Sequence, residues 1–417
     1  MASVSAPAPT ASGLTSYQKF IVAVLAFVQF TVVLDFMILS PLGALLMKEL
    51  SIPASRFGLV VSVYAFASGA SGFLAAGFAD RFDRKRLLLV FYAGFVLGTL
   101  VCGLAPTYHV LLFGRVVTGF FAGVLSSVSF AIIADLIPPE RRGQVMGIVQ
   151  SAFAVSQVAG VPIGLLLANH WGWHAPFLLI VVVSGGVGVV IALRMRPVTE
   201  HLSHARDQNP LRHLLATALR PEYLRVYAAT MLLVTGGFML MPYGSAYMVN
   251  NMGLAIERLP LVYIVTGAFA MVAGPSAGRL SDRVGRFPVL FAGTLVSGVM
   301  VLAFTHAEHI PLGMVIALNV VLMIGITARM ISASALTSLV PRPADRGSFM
   351  AVNASIQQLS GGVAAAVAGL IVTEAPSGAI RGYDILGYVV IVAMVAVLVQ
   401  LRAIDRRVRA ATAASPT

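Results

Sequence analysis

The feature that most limits what this chain can fold into is a series of twelve continuous apolar runs. They fall at about 20–46, 57–78, 87–105, 110–134, 144–168, 175–193, 226–249, 259–280, 289–304, 312–339, 349–373 and 383–401. A hydrocarbon core about 30 Å thick needs about 20 apolar residues of helix to cross it. Spanning β-strands would instead show alternating segments of about 10 residues. These runs do not alternate, so the chain reads as an all-α membrane protein with twelve transmembrane helices. Composition agrees: 58% of residues are hydrophobic, 11% are charged and the mean hydropathy is +0.91, where a soluble domain carries about 25% charged residues.

A formal charge of +12 invites a nucleic-acid partner, and topology removes that reading. With the amino terminus inside and alternation across twelve spans, Lys48, Arg56, Arg258 and Arg381 fall outside and Arg115 and Arg329 fall within spans. Every other Lys and Arg is cytoplasmic. This is the positive-inside asymmetry, and it predicts both termini in the cytoplasm. The single cysteine, Cys102, excludes an internal disulfide.

The segment 1–18, rich in Ala, Ser and Pro, reads as a disordered tail. The first apolar run is longer than a signal peptide's h-region and is expected to remain as span one. Six spans make an N-terminal bundle over 19–195. At 196–222 Arg, His, Asp, Asn and Pro take over, which marks a cytoplasmic linker, and 211–219 is amphipathic enough to lie on the membrane surface. A second six-helix bundle covers 223–403, and a basic tail covers 404–417. Because the fold closes its own core, a monomer is expected.

The two halves repeat. AGFADRFDRKR, at 76–86, has a second version in GRLSDRVGRF, at 278–287, with Asp282 lying 202 residues after Asp80. PPERRGQVM, at 138–146, is matched by RPADRGSFM, at 342–350, with Arg346 lying 204 residues after Arg142. Parallel repeats of six spans are an arrangement that supports alternating access around a central site.

On these loops the chain resembles the major facilitator superfamily, and within it the twelve-helix drug:proton antiporters and related sugar-efflux permeases. The resemblance runs along nearly the whole chain. The family loop after span two is Gly-x-Leu-Ala/Ser-Asp-Arg-x-Gly-Arg, which Gly278 to Arg286 matches fully, while the first copy has Ala76 and Asp83 at the two glycines. Asp tolerates the left-handed conformation better than most residues, which predicts that the turn survives. The resemblance implies a cytoplasmic latch. Asp80 would meet the start of span eleven at Arg346, and Asp282 the start of span five at Arg142, with Arg81, Arg84, Arg283 and Arg286 around them. A carboxylate at a helix N-terminus gains about 0.3 to 1 kcal/mol at a surface.

Charges inside spans cost about 2.5 to 3.5 kcal/mol each even on insertion scales, and face a cavity or a partner. Asp35 in TVVLDFMILSP and Arg115 in LLFGRVVTG lie at compatible depths. In the antiporters that this sequence resembles, an acid in span one and an arginine in span four sit together, which implies proton coupling at Asp35 and Arg115. The other reading of the pair is a static tie between helices. Arg329, in GITARMISAS, has no evident acid at its depth; it either binds an anionic or hydroxyl-rich substrate or hydrogen-bonds to carbonyls. Gln29, Asn319, Tyr243, Tyr247, Asn353 and Gln357 complete the expected substrate cavity. Gly160, Pro162 and Gly164 in QVAGVPIG approximate the antiporters' helix-packing motif, placed to serve rocking between the halves.

His170, His174, His306 and His309 lack a companion carboxylate or cysteine cluster, so no metal is expected. There is no phosphate loop, zinc pattern or nucleophile elbow. The expectation is therefore neither an enzyme nor an ATP-driven pump. It is a secondary transporter without cofactors, driven by a proton gradient and exporting small organic molecules such as drugs or sugars from a bacterial inner membrane. Proton-independent or symport uptake of a small metabolite, and lipid transport or sensing on the same fold, are the alternatives.

Overall fold

The computed structural model describes residues 14–200, 202, 210–342 and 345–414, without the side chains at 76, 77, 80, 210–213 and 408–414. Among these residues twelve helices are long and apolar enough to cross a membrane. Most of the expected 1–18 tail lies outside the described residues, and its end is already ordered. Thr15 and Gln18 form a reciprocal capping box that starts α1 (Ser16–Ile38), with Gln18 N donating to Thr15 Oγ1 at 3.2 Å and Thr15 N to Gln18 Oε1 at 3.0 Å.

The first apolar run is not one helix. Pro41, which has no N–H to give, stands in a turn after Ile38, and a short helix α2 (Gly43–Glu49) follows. Then come α3 (Ala54–Phe78), α4 (Arg84–Gly103) and α5 (Tyr108–Leu136). Span five is broken into α6 (Pro139–Gln150), α7 (Ala152–Val155), a π turn over Ser156–Gly160 and α8 (Val161–Trp171). The missing N–H of Pro162 accounts for the slack in that ladder. The first half ends with α9 (Ala175–Arg194). The linker holds α10 (Pro210–Ala218), where an amphipathic piece was expected.

The second half is α11 (Pro221–Asn250), α12 (Leu259–Val284), α13 (Arg286–Thr305), α14 (Leu312–Thr337), α15 (Arg346–Ile371) and α16 (Tyr383–Ala414). A two-residue hairpin of β1 (Thr373–Glu374) and β2 (Ile380–Arg381) joins the last two helices. Within each half, helices close up where glycine removes the side chain, because packing and not hydrophobicity holds helices together in lipid. A Cβ on Gly123 of α5 would collide with the Ser68 carbonyl of α3. In the second half, Gly293 of α13 and Gly325 of α14 back onto each other in the same way, 3.0 Å from built Cβ to carbonyl oxygen.

The halves meet along two seams. On one, α3 and α15 run together: Phe66 packs on Gly362, and Gln358 Nε2 donates to Ser68 Oγ at 3.3 Å. On the other, Gly267 of α12 receives Val158 of the π turn, with a built Cβ 3.0 Å from Val158 Cα. The side away from the linker is sealed by hydrogen bonds across the halves. Tyr243 Oη donates to the Ala54 carbonyl at 3.0 Å, Ser245 Oγ to the Ser40 carbonyl at 2.8 Å, and Ser40 Oγ to the Met241 carbonyl. On the linker side α12 leaves its neighbour: Gly143 and Gly147 of α6 and Gly278 of α12 face open space.

Replacing Gly123 by valine should force α3 and α5 apart. We expect a loss of about 1–3 kcal/mol, the usual cost of overpacking, read as a lowered melting temperature of the purified protein. The same change at Gly147, which meets nothing within 4 Å, should leave the melting temperature within error.

Candidate functional site

Asp35 sits one turn before the end of α1, and the glycine contacts behind that helix fix where it points. Leu34 lies against Gly160, whose built Cβ would be 2.7 Å from Leu34 Cδ1, and Ile38 lies against Gly164, 2.5 Å from its Cδ1. Ser156 Oγ donates to the Phe30 carbonyl at 3.1 Å. The QVAGVPIG segment thus seats α1 inside the first half. Gly160 and Gly164 face α1, while Val158 and Gln157 of the same segment meet Gly267 of α12 at the seam, where a part in rocking was expected for Gly160, Pro162 and Gly164.

With α1 held this way, Asp35 enters the gap between α4 and α5. Arg115 Nη1 donates to Asp35 Oδ2 at 2.7 Å and to the Asp35 carbonyl at 3.2 Å, and Thr99 Oγ1 donates to Asp35 Oδ1 at 3.3 Å. Both charged side chains are 0% exposed. Arg115 Nε and Nη2 have no hydrogen-bond partner among the described residues. The Tyr64 ring of α3 lies 4.2 Å from the guanidinium carbon and supplies the remaining contact, a cation–π interaction. Thr31 Oγ1 and Tyr92 Oη, 3.0 Å apart, close the next layer.

The two residues brought together from 80 positions apart were legible as charges in apolar runs. Thr99 and Tyr64 were not, since a threonine or tyrosine in such a run carries no signal of its own. Of the two side chains, only Asp35 can change its charge. Arginine stays charged at any attainable pH, so the pair is neutral when Asp35 is ionised and carries a buried positive charge when Asp35 takes a proton.

The expected latch is only partly in view. The Asp80 side chain lies outside the described residues. Asp282, Arg283, Arg81 and Arg346 are exposed and form no ion pair among the described residues. Arg142 does not meet Asp282. It folds back on the end of α5, with Nε on the Ile137 carbonyl at 2.9 Å and Nη2 on the Ala134 carbonyl at 2.5 Å. Arg84 is buried against Asp135, Nε to Oδ2 at 3.0 Å, and donates to the Ala79 carbonyl at 2.7 Å. Arg286, its counterpart, is half-buried with Nε unpartnered.

The first-copy turn does not survive as expected. Gly285 adopts φ +105°, open only to glycine, whereas Asp83 at the same place has φ −56°. Asp83 instead caps α4, accepting from Lys85 N at 2.9 Å, and also from Val198 N of the linker at 2.9 Å. The linker's other end is tied by Asp345, which accepts from Arg220 Nη1 at 2.6 Å and Tyr223 Oη at 2.8 Å. Asp135, Asp345, Arg220 and Tyr223 went unnoticed in the sequence because their partners lie more than 50 residues away.

The expected cavity residues divide. Tyr243 and Tyr247 are buried and structural: Tyr243 is part of the seal described above, and Tyr247 Oη donates to the Thr305 carbonyl at 2.9 Å while its ring stacks on Tyr383. Arg329 is 3% exposed and donates through Nη2 to the Leu233 carbonyl at 2.7 Å, while its Nε and Nη1 meet no hydrogen-bond partner among the described residues. Asn319 is bonded to its own helix at the Val315 carbonyl, 2.9 Å, and to Met248 Sδ, 3.4 Å. Gln29 and Gln357 are half-buried, and Asn353 is buried with Oδ1 unpartnered. These three keep free hydrogen-bonding capacity.

Removing one partner of a buried pair leaves an uncompensated charge, which costs about 3–5 kcal/mol, whereas replacing both by apolar residues is often near neutral. Arg115→Leu should therefore lower the melting temperature sharply, and Asp35→Leu/Arg115→Leu should recover most of the loss.

The sequence profile of the Major Facilitator Superfamily matches residues 25–366 and 226–415. An uncharacterized MFS-type transporter of Bacillus subtilis, YceJ, is 29% identical over 279 residues, 66% of this chain and 70% of that protein. A protein of Helicobacter pylori named as a probable sugar efflux transporter is 25% identical over 321 residues, 76% of this chain and 80% of its own length. Among solved structures, the D-xylose-proton symporter superimposes with a TM-score of 0.73 at 16% identity, covering 92% of this chain and 97% of its own. A bacterial homolog of the human lysosomal transporter Spinster, in an inward-facing and unoccupied conformation, gives 0.71 at 18% identity, covering 94% and 96%. The chain belongs to the Major Facilitator Superfamily and is a multi-pass membrane transporter, not an enzyme.

Proposed function

We propose that this transporter is a proton-coupled exporter of small organic molecules, sugars or amphipathic drugs, in the inner membrane of a bacterium, with the linker side cytoplasmic. The observation that carries this reading is the fully buried Asp35–Arg115 pair, 2.7 Å apart. A static tie would serve as well with two apolar residues, and more cheaply. A carboxylate beside one fixed cation, with a threonine as its only other side-chain hydrogen-bond partner among the described residues, is a proton site whose two states differ by a full charge. The resemblance to a protein named as a probable sugar efflux transporter supports export and a hydroxyl-rich substrate. Gln29, Asn353 and Gln357 are the amide groups we assign to the substrate. The basic residues of the linker and of the loops at 81–86 and 279–286 support the cytoplasmic placement of that side and of both termini.

The latch belongs to the other conformation. On the linker side α6 and α12 stand apart here, and we propose that Asp282 reaches the start of α6, and Asp80 the start of α15, when that side closes. No cofactor takes part, and a single chain suffices.

The test is transport by purified protein in proteoliposomes, assayed with a panel of sugars and lipophilic cations. One pH unit is worth about 1.4 kcal/mol, so a one-proton exchanger should accumulate substrate about tenfold per unit of gradient. Asp35→Asn should remove that dependence while passive exchange persists; unchanged gradient-driven accumulation in this variant would refute the proton site. Asp282→Lys should insert and fold normally but transport several-fold more slowly, and wild-type flux from it would reduce the loop to a topology signal.

A further inference from the structure

Next to the proton site, an aromatic path leads out of the first half. Phe36 follows Asp35 on α1, so the same helix that aims the carboxylate inward aims the next ring toward the seam. Its centroid is 5.3 Å from that of Tyr64, whose face carries the Arg115 guanidinium, and 5.6 Å from that of Phe238 on α11 in the second half. Both are within the 4.5–7 Å over which aromatic pairs attract. Phe238 is wedged against α15: a Cβ at Gly361 would stand 2.5 Å from its ring.

Phe238 also marks the weakest point of α11. Pro242 lies inside this helix and cannot donate to the carbonyl four residues earlier, which is that of Phe238. Gly236 and Gly237 precede it, each about 1 kcal/mol poorer than alanine in a helix. Side chains from outside α11 hold the backbone around this point. Arg329 of α14 takes the Leu233 carbonyl at 2.7 Å, Tyr383 of α16 takes the Leu240 carbonyl at 3.0 Å, and Ser40 takes the Met241 carbonyl. Kinks gather where proline, paired small residues and inserted side chains coincide, and all three coincide between Leu233 and Pro242.

We infer that the Tyr64–Phe36–Phe238 stack couples the protonation state of Asp35 to a hinge in α11 at 233–242, and that Phe238 is its positioning residue across the seam. This rests on Asp35 being the proton site. The groups that face Asp35 are Arg115 from α5, Thr99 and Cys102 from α4 and Tyr64 from α3, with Ser156 bonded to the backbone of α1 behind it. Arg115 is the one charge among them. When Asp35 is ionised, the guanidinium is held by the carboxylate. When Asp35 takes a proton, that attraction is lost and the Tyr64 face becomes the main compensation for the cation. A shift of the guanidinium onto the ring displaces Tyr64, Phe36 rides on Tyr64, and Phe238 transmits the displacement to the one stretch of α11 that bends cheaply. Interiors packed this closely pass on small shifts without absorbing them.

The experiment follows the conformation itself and needs no substrate. Spin labels at Gln144 on α6 and Arg279 on α12, both exposed, report the opening between these helices by double electron–electron resonance. In the otherwise unaltered protein the ratio of the two distance populations should shift about tenfold between about pH 5.5 and pH 8.5, through linkage to one proton. Phe238→Leu should keep both populations but flatten the shift to less than about twofold, Phe238→Tyr should restore it, and Tyr64→Leu should flatten it equally. A full shift in Phe238→Leu overturns the inference. If Phe238→Leu does not fold, Tyr64→Leu decides by the same criterion. Absence of any shift in the unaltered protein overturns the Asp35 reading, and this inference with it, whereas a shift lost in Asp35→Asn but kept in Phe238→Leu overturns the stack alone.

Discussion

Everything in the first half is arranged around the burial of one ion pair in a bundle that spans a membrane. Two charges taken out of water attract strongly but lose solvation worth several kcal/mol each, so the arrangement persists only if the helices carrying them come close and the leftover donors are covered. Close approach is supplied by glycine: Gly98, Gly114, Gly119 and Gly123 set α3, α4 and α5 within backbone contact. Coverage comes from Thr99 on the carboxylate and the Tyr64 ring on the guanidinium. The broken fifth span belongs to the same design, because its π turn and glycines hold α1 in the rotation that aims Asp35 at Arg115.

The spans and the charged pair were legible in the sequence because each rests on a property that hydropathy reports directly, namely cost of transfer into lipid, and the repeat because its loops keep their residues at nearly one offset. The breaks in the helices were not. Pro41 and Pro162 lie in runs as apolar as any other, and what they change is the backbone hydrogen-bond ladder, which composition does not record. Asp83 is a subtler case. Read as a substitute for glycine it predicts a left-handed turn, but an aspartate before a helix has a second use as a cap, and the linker amide of Val198 shares the same oxygen. The expected latch partners Arg142 and Asp282 do not meet in this structure: Arg142 is held by the carbonyls at the end of α5, contacts that residue type alone does not announce.

The halves share a repeat and have spent it differently. At the offset of 204 residues that relates Arg142 to Arg346, Arg115 corresponds to Asn319, which is satisfied within its own helix and by Met248. The second half keeps a buried cation, Arg329, but aims it at a backbone carbonyl of α11 and gives it no acid among the described residues. A guanidinium on a carbonyl compensates little charge; what it fixes is geometry, here the segment of α11 just before its glycines.

The same offset takes Asp35 to Met239, next to Phe238. The position that holds a titratable group in the first half therefore falls, in the second, within the stretch 233–242 of α11. On the readings proposed above, a proton site in the first half and a hinge in the second lie at corresponding positions of the sequence repeat, and the rings of Tyr64, Phe36 and Phe238 join them across the seam. For alternating access this is an economical placement. On that proposal the chemical event and the mechanical response sit on the first helix of each half, where a small displacement of one bundle is already a displacement relative to the other.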